Sequence, residues 1–173
     1  KSINIKEKFS IHGDYIFYPA QFWAHKNHVY ILQGLKILKE SYGLKINAFF
    51  AGGDGGNLEY VKKTADELDV LDQLIFAGFV EDDLVPHLYY NSIALVMPTY
   101  FGPTNIPPLE AFALGVPVLY SDLKGLREQV AGAALLLDLN NPESMAVHVN
   151  NLINDKEFKK NLVIAGQQKL KIY

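Results

Sequence analysis

Apolar positions in this chain come in short solid runs and, between the runs, at spacings of three and four. The runs Tyr15–Tyr18, Ile46–Phe50, Leu74–Phe76, Ile93–Met97, Val116–Tyr120 and Ala134–Leu137 are too short for helices and too uniformly apolar for strands with one solvated face. They predict six strands buried on both sides, as in a parallel sheet covered by helices. The amphipathic stretches between them predict helices over Asn27–Ser41, Asn57–Leu68, Asp83–Tyr90, Ile106–Leu114, Leu123–Val130 and Pro142–Ile153, several opening on Asn or Asp as caps, and a last helix near Lys156–Lys169. No linker, repeat or low-complexity segment interrupts this order. The expected fold is α/β, a Rossmann-like doubly wound parallel sheet in a single domain over residues 1–173.

In such a sheet ligands bind outside the carboxyl ends of the strands, so the loops that follow strands are where chemistry is expected. The richest is Pro98–Pro117, PTYFGPTNIPPLEAFALGVP. A helix opening at Asn105–Pro107 is expected to turn free N–H groups and roughly half a positive charge toward the rim, as an anion site. Within that helix Glu110 stands among Leu109, Ala111, Phe112 and Ala113. A buried unpaired carboxylate is costly, so Glu110 is expected to meet either ligand hydroxyls or, as a structural group, a neighbouring loop.

The other loops add to this rim. After the first strand come Gln21, Phe22, Trp23, Ala24, His25, Lys26 and Asn27. A lysine at a helix N-terminus is repelled by the helix dipole, which makes more sense beside a bound anion than on a free surface. After the second strand, Gly52, Gly53, Gly55 and Gly56 surround Asp54, which suits either close approach to a phosphate or sugar or merely a tight strand-to-helix turn. A dinucleotide fingerprint counted from Gly53 fails, because Leu58 stands where glycine is needed. After the third strand, Gly78, Phe79, Val80, Glu81, Asp82 and Asp83 offer apolar residues on which a flat base could rest.

Composition narrows the classes. Hydrophobic residues make up 49% and charged residues 20%, and the net charge of −3 provides no basic field for nucleic acid. The chain has no Cys, which excludes disulfides and thiolate metal sites. His25 and His28 have no further ligands at metal spacing, so no metal is expected. No P-loop and no G-x-S-x-G occurs, which disfavours phosphotransfer and hydrolysis, and the failed glycine fingerprint disfavours a Rossmann oxidoreductase or sugar-nucleotide epimerase. The apolar runs are too short to span a membrane and the start carries no signal-peptide core, so a cytoplasmic address is expected. Starting on Lys1 and ending on Tyr173 within a helical pattern, the sequence reads as part of a longer chain.

Together HKN after the first strand, GGDGG after the second, GFVEDD after the third and PPLEAFALGVPV after the fourth resemble the family-4 glycosyltransferases, specifically the C-terminal, nucleotide-sugar-binding half of their GT-B fold. The resemblance covers nearly the whole chain. It implies a retaining transferase without metal or other cofactor, whose donor is a nucleotide diphosphate sugar. Its saccharide or lipid-linked acceptor would be held by an N-terminal domain absent from this chain, with peripheral contact at the inner membrane face open to the full-length protein. It further implies Lys26 on the diphosphate, Phe79 and Val80 around the base, Glu110 on the ribose hydroxyls, and backbone amides of Thr104, Asn105 and Ile106 on the phosphate or sugar. Gly53 and Gln21 belong to the same donor-facing set. Two positions depart from the family pattern. Gly102, eight positions before Glu110, stands where a second glutamate is usual, and Gln21, five before Lys26, stands where arginine is common. The departures leave open a non-catalytic nucleotide-sugar-binding module that partners an active enzyme.

Overall fold

The computed structural model describes residues 3–102 and 105–172. Six parallel strands, β1 (Tyr15–Pro19), β2 (Asn47–Ala51), β3 (Leu74–Gly78), β4 (Leu95–Met97), β5 (Val118–Ser121) and β6 (Leu135–Leu137), form one sheet in the order β3-β2-β1-β4-β5-β6. The four central strands are buried almost throughout, as their unbroken apolar runs require. Around them lie α1 (Ile5–Lys8), α2 (His28–Tyr42), α3 (Leu58–Glu67), α4 (Val85–Tyr90), α5 (Ile106–Ala113), α6 (Glu143–Asn154) and α7 (Lys156–Leu170). Helix α2 ends on Gly43 in the left-handed conformation, with Leu44 N–H donating to the Leu38 carbonyl at 2.9 Å. Gly34 of α2 lies against Met145 of α6, and Gly166 of α7 against Phe112 of α5, so both helix pairs approach closely where a side chain is missing.

Two local expectations fail for identifiable reasons. The helix expected over Leu123–Val130 shrinks to a 3₁₀ turn at Arg127–Val130, because Gly125 takes φ +89 and interrupts the helical backbone. The expected asparagine caps also fail: neither Asn27, Asn57 nor Asn105 caps its helix through its side chain. Asn27 adopts the left-handed conformation and uses its amide elsewhere, while Asp54 serves α3 in place of Asn57. Asp155 does cap α7, accepting from Phe158 N–H at 3.0 Å.

His28 opens α2 fully buried, its ring stacked on Phe22 at 4.2 Å and lying 4.9 Å from Tyr18. Burial chiefly, with repulsion from Lys26 and against the pull of the Ala20 carbonyl, lowers its imidazole from 6.5 to about 3. The native state therefore resists protonation; its advantage is complete above pH 6.5 and is lost as pH falls toward 3. Urea unfolding is expected to show a stability loss on the order of 4 kcal/mol across that window, which His28→Phe removes. An acid limb of the same depth in His28→Phe assigns the loss to other groups.

Candidate functional site

The sheet order reverses between β1 and β4, and there the loops from the two strands diverge to leave a crevice at the carboxyl rim. Hydrogen bonds brace the two loops across it. Asn27 Nδ2 donates to the Pro98 carbonyl at 3.0 Å, while Tyr100 N–H and Thr99 Oγ1 donate to the His25 carbonyl at 2.9 and 3.2 Å. The His25 ring stacks on Phe101, with centroids 4.3 Å apart. From inside β1, the buried Tyr18 hydroxyl donates to the Lys26 carbonyl at 2.9 Å. Burial pushes that hydroxyl up, so it remains a donor.

Lys26 ends a 3₁₀ turn, Ala24–Lys26, and is partly buried. Burial lowers its ammonium from the ordinary lysine value, and no carboxylate among the described residues forms an ion pair with it. A partly desolvated cation without a protein counter-ion is stabilised by a bound anion.

Two adjoining clefts open on the same rim and share Pro19 and Val85. The larger, of ≈ 610 Å³, includes Tyr89, Glu110 and Leu114 in its lining. Contrary to the expectation of a buried carboxylate, Glu110 lies on the exposed side of α5, and its Oε1 accepts from the buried Tyr89 hydroxyl at 2.8 Å. Burial and then the carboxylate push the Tyr89 hydroxyl up, fixing it as the donor. A carboxylate offers about four acceptor sites, so Glu110 keeps capacity for further hydroxyls in the cleft. The smaller cleft, of ≈ 230 Å³, brings Gln21, Phe79 and Val80 together with Gly52. Val80 packs into the core, whereas the Phe79 ring is 83% exposed. Gln21 is occupied by the chain itself, its Oε1 accepting from the Trp23 indole at 2.6 Å.

The helix ends contribute less than expected. Pro107 and Pro108 follow Ile106 at the start of α5 and carry no N–H, so the first turn offers Ile106 alone. Asn105 N–H lies 3.4 Å from Gln129 Oε1. At α3, Asp54 Oδ1 accepts from Gly56 and Leu58 N–H at 2.7 and 3.2 Å, so the glycine loop is largely a self-satisfied turn. Gly53 faces open space, while Gly52 is the constrained glycine: at φ +139 a Cβ would stand 2.5 Å from the Ala20 carbonyl oxygen. Lys26 is therefore the principal positive charge available to an anion among the expected site residues.

Ile106 is 57% exposed and Asn105 is buried. Thr104 lies outside the described residues. Gly102 sits at φ +152, and a Cβ there would stand 2.5 Å from Asn105 Oδ1. Residues that the motifs did not mark also build the site: Tyr18, Val85 and Tyr89. Tyrosines in otherwise apolar runs were the available signal, since a buried hydroxyl requires a partner. Among the described residues no group of three or more His, Asp or Glu is arranged to hold a metal, and no helix is long and apolar enough to cross a membrane.

A doubly wound parallel sheet whose order reverses between β1 and β4, with clefts at the carboxyl end of β1, defines an α/β domain of Rossmann type. Residues 2–169 match the family of glycosyl transferases group 1, and the chain belongs to that family. It is 26% identical over 167 residues to an uncharacterized glycosyltransferase of Methanocaldococcus jannaschii, covering 94% of this chain and 42% of that protein. It is 24% identical to the O-antigen chain mannosyltransferase B of Escherichia coli, covering 84% of this chain and 38% of that one. The chain thus spans about two fifths of the length of these curated relatives. Among solved structures, Anabaena HepE in complex with UDP superposes with a TM-score of 0.83 at 17% identity, covering 96% of this chain and 46% of that one. The fold is that of the C-terminal half of the GT-B enzymes.

Proposed function

We propose that this domain holds the nucleotide diphosphate sugar of a retaining glycosyltransferase whose saccharide or lipid-linked acceptor binds a second, N-terminal domain. The observation that carries this is Lys26, a partly desolvated cation without an ion pair among the described residues, at the same rim as a cleft containing Glu110. The base rests in the smaller cleft beside Phe79 and Val80, and the ribose hydroxyls donate to Glu110, already oriented by Tyr89. Lys26 neutralises the diphosphate as the sugar–phosphate bond breaks, a charge that grows toward the transition state. No divalent metal is required on this reading. The UDP complex of Anabaena HepE, which shares the fold, supports it.

Titration calorimetry of this chain with UDP, GDP and ADP, with and without chelator, tests the proposal. At least one is expected to bind, equally well in chelator; no heat from any of the three at millimolar concentration, with a folded sample, rejects it. Glu110→Gln, which keeps a carbonyl acceptor and loses only the charge that strengthens the bond, should weaken the ribonucleotide by several-fold and barely alter a 2′,3′-dideoxy analogue. Equal losses for both would remove Glu110 from the hydroxyls.

The non-catalytic alternative draws on Gly102 and Gln21, where a second glutamate and an arginine are usual in the family. Sugar transfer by the full-length protein separates the two readings.

A further inference from the structure

Asn105, Tyr120 and Gln129 come from three different segments and close a hydrogen-bonded ring. Asn105 Nδ2 donates to the Tyr120 hydroxyl, which donates to Gln129 Oε1 at 3.2 Å. Gln129 Nε2 then donates back to the Asn105 carbonyl at 2.7 Å, and Gln129 Oε1 faces Asn105 N–H at 3.4 Å. Both backbone polar groups of Asn105 and its carboxamide are thereby engaged by β5 and by the 3₁₀ turn at Arg127–Val130. Tyr120 is fully buried and burial pushes its hydroxyl up, so it remains protonated and can donate.

The position of this ring matters more than its strength. Asn105 immediately precedes α5, and its side chain fills the space beside Gly102 that a Cβ would enter. Next door, Ser121 Oγ donates to the Thr99 carbonyl at 2.5 Å, so β5 grips the loop after β4 near both its ends. Thr99 and Asn105, each tied to β5, fix the places of Phe101 and Gly102 on one side and of the Ile106 N–H on the other.

We infer that Tyr120 and Gln129 are positioning residues: they hold Asn105 and so set Gly102 and the start of α5 for the transferred sugar, without touching the nucleotide. The inference rests on the donor-binding reading. It assigns discrimination between a nucleotide and its sugar conjugate to a turn far along the chain from Lys26 and Glu110.

Two measurements on this chain test it. In the unliganded state, Gln129→Ala and Tyr120→Phe should speed amide hydrogen exchange at Asn105 and Ile106 at least about tenfold, with exchange in β1 and β2 unchanged. In calorimetry with UDP and UDP-glucose, and with GDP and GDP-mannose, both variants should keep the affinity for the free nucleotide. They should shift the ratio of sugar-conjugate to nucleotide affinity by at least about threefold. Gln129→Glu, which keeps the acceptor for Tyr120 but loses the donor to the Asn105 carbonyl, should fall between. A purely structural role lowers the melting temperature of the variants and leaves that ratio fixed, which overturns the assignment. Unchanged exchange at Asn105 and Ile106 overturns the clamp itself. A wild-type chain that binds neither nucleotide rejects the donor reading and with it the role toward the sugar, while the exchange result still decides whether the clamp exists.

Discussion

Lys26→Ala is expected to weaken UDP and GDP binding roughly 10- to 150-fold while leaving uridine and guanosine within about twofold, because a charge-assisted hydrogen bond contributes about 1.5–3 kcal/mol. The effect is placed at the upper end for a structural reason. Pro107 and Pro108 strip α5 of two first-turn donors and leave the uncharged Ile106 N–H, and Asp54 takes the Gly56 and Leu58 N–H groups at the start of α3, so no second cation among the expected site residues can take over the phosphate charge. Burial lowers the Lys26 ammonium, so the wild-type preference for diphosphate should also fade at a lower pH than an ordinary lysine would allow as pH rises toward 10.5. Paired titrations of nucleotide and nucleoside check this. Equal losses for both ligands would take Lys26 out of the phosphate site.

Gly102→Glu in the full-length protein should abolish or sharply reduce sugar transfer rather than improve it. Two features of the loop act together. Gly102 holds φ +152, which side-chain-bearing residues rarely adopt, and its Cβ would press on Asn105 Oδ1 at 2.5 Å. Asn105 cannot swing aside cheaply, since it is buried and bonded to Tyr120 and Gln129. Strain of about 1–3 kcal/mol would fall on the segment that aligns the donor in the proposed function, and small misplacements of a reacting group cost large factors in rate. This domain alone should transfer nothing, because donor and acceptor must be held together across a closed cleft. Radiolabelled transfer to membrane extract by wild type and Gly102→Glu is the assay. A silent wild type that Gly102→Glu activates would establish that the missing carboxylate had disabled the enzyme, and the non-catalytic module would be the right reading.

Much of this protein was legible in order. The six apolar runs placed every strand to within two residues at either end, and parallel pairing followed from their unbroken apolar character, although the edge strands β3 and β6 are largely half-buried rather than buried on both sides. The motifs after successive strands located Lys26, Phe79, Val80 and Glu110 at one rim, since in a parallel sheet every strand delivers its following loop to the same side. Even the two prolines that disarm α5 stand in the sequence; only their consequence for the anion site required the observed helix start.

Side-chain partnership was not legible, and the reason is range. Glu110 meets Tyr89 across 21 positions, Asn27 meets Pro98 across 71, and Asn105 meets Gln129 across 24. Periodicity reports which face of an element is apolar, a property of neighbours along the chain, whereas a hydrogen bond between loops depends on where the whole sheet carries each strand end. The sequence by itself therefore determined the layering, the family and the rim; the tertiary structure alone decided that Glu110 is exposed and oriented by a tyrosine, that Asn27 ties two loops instead of capping a helix, and that Asn105 is gripped from β5 and the turn beyond it.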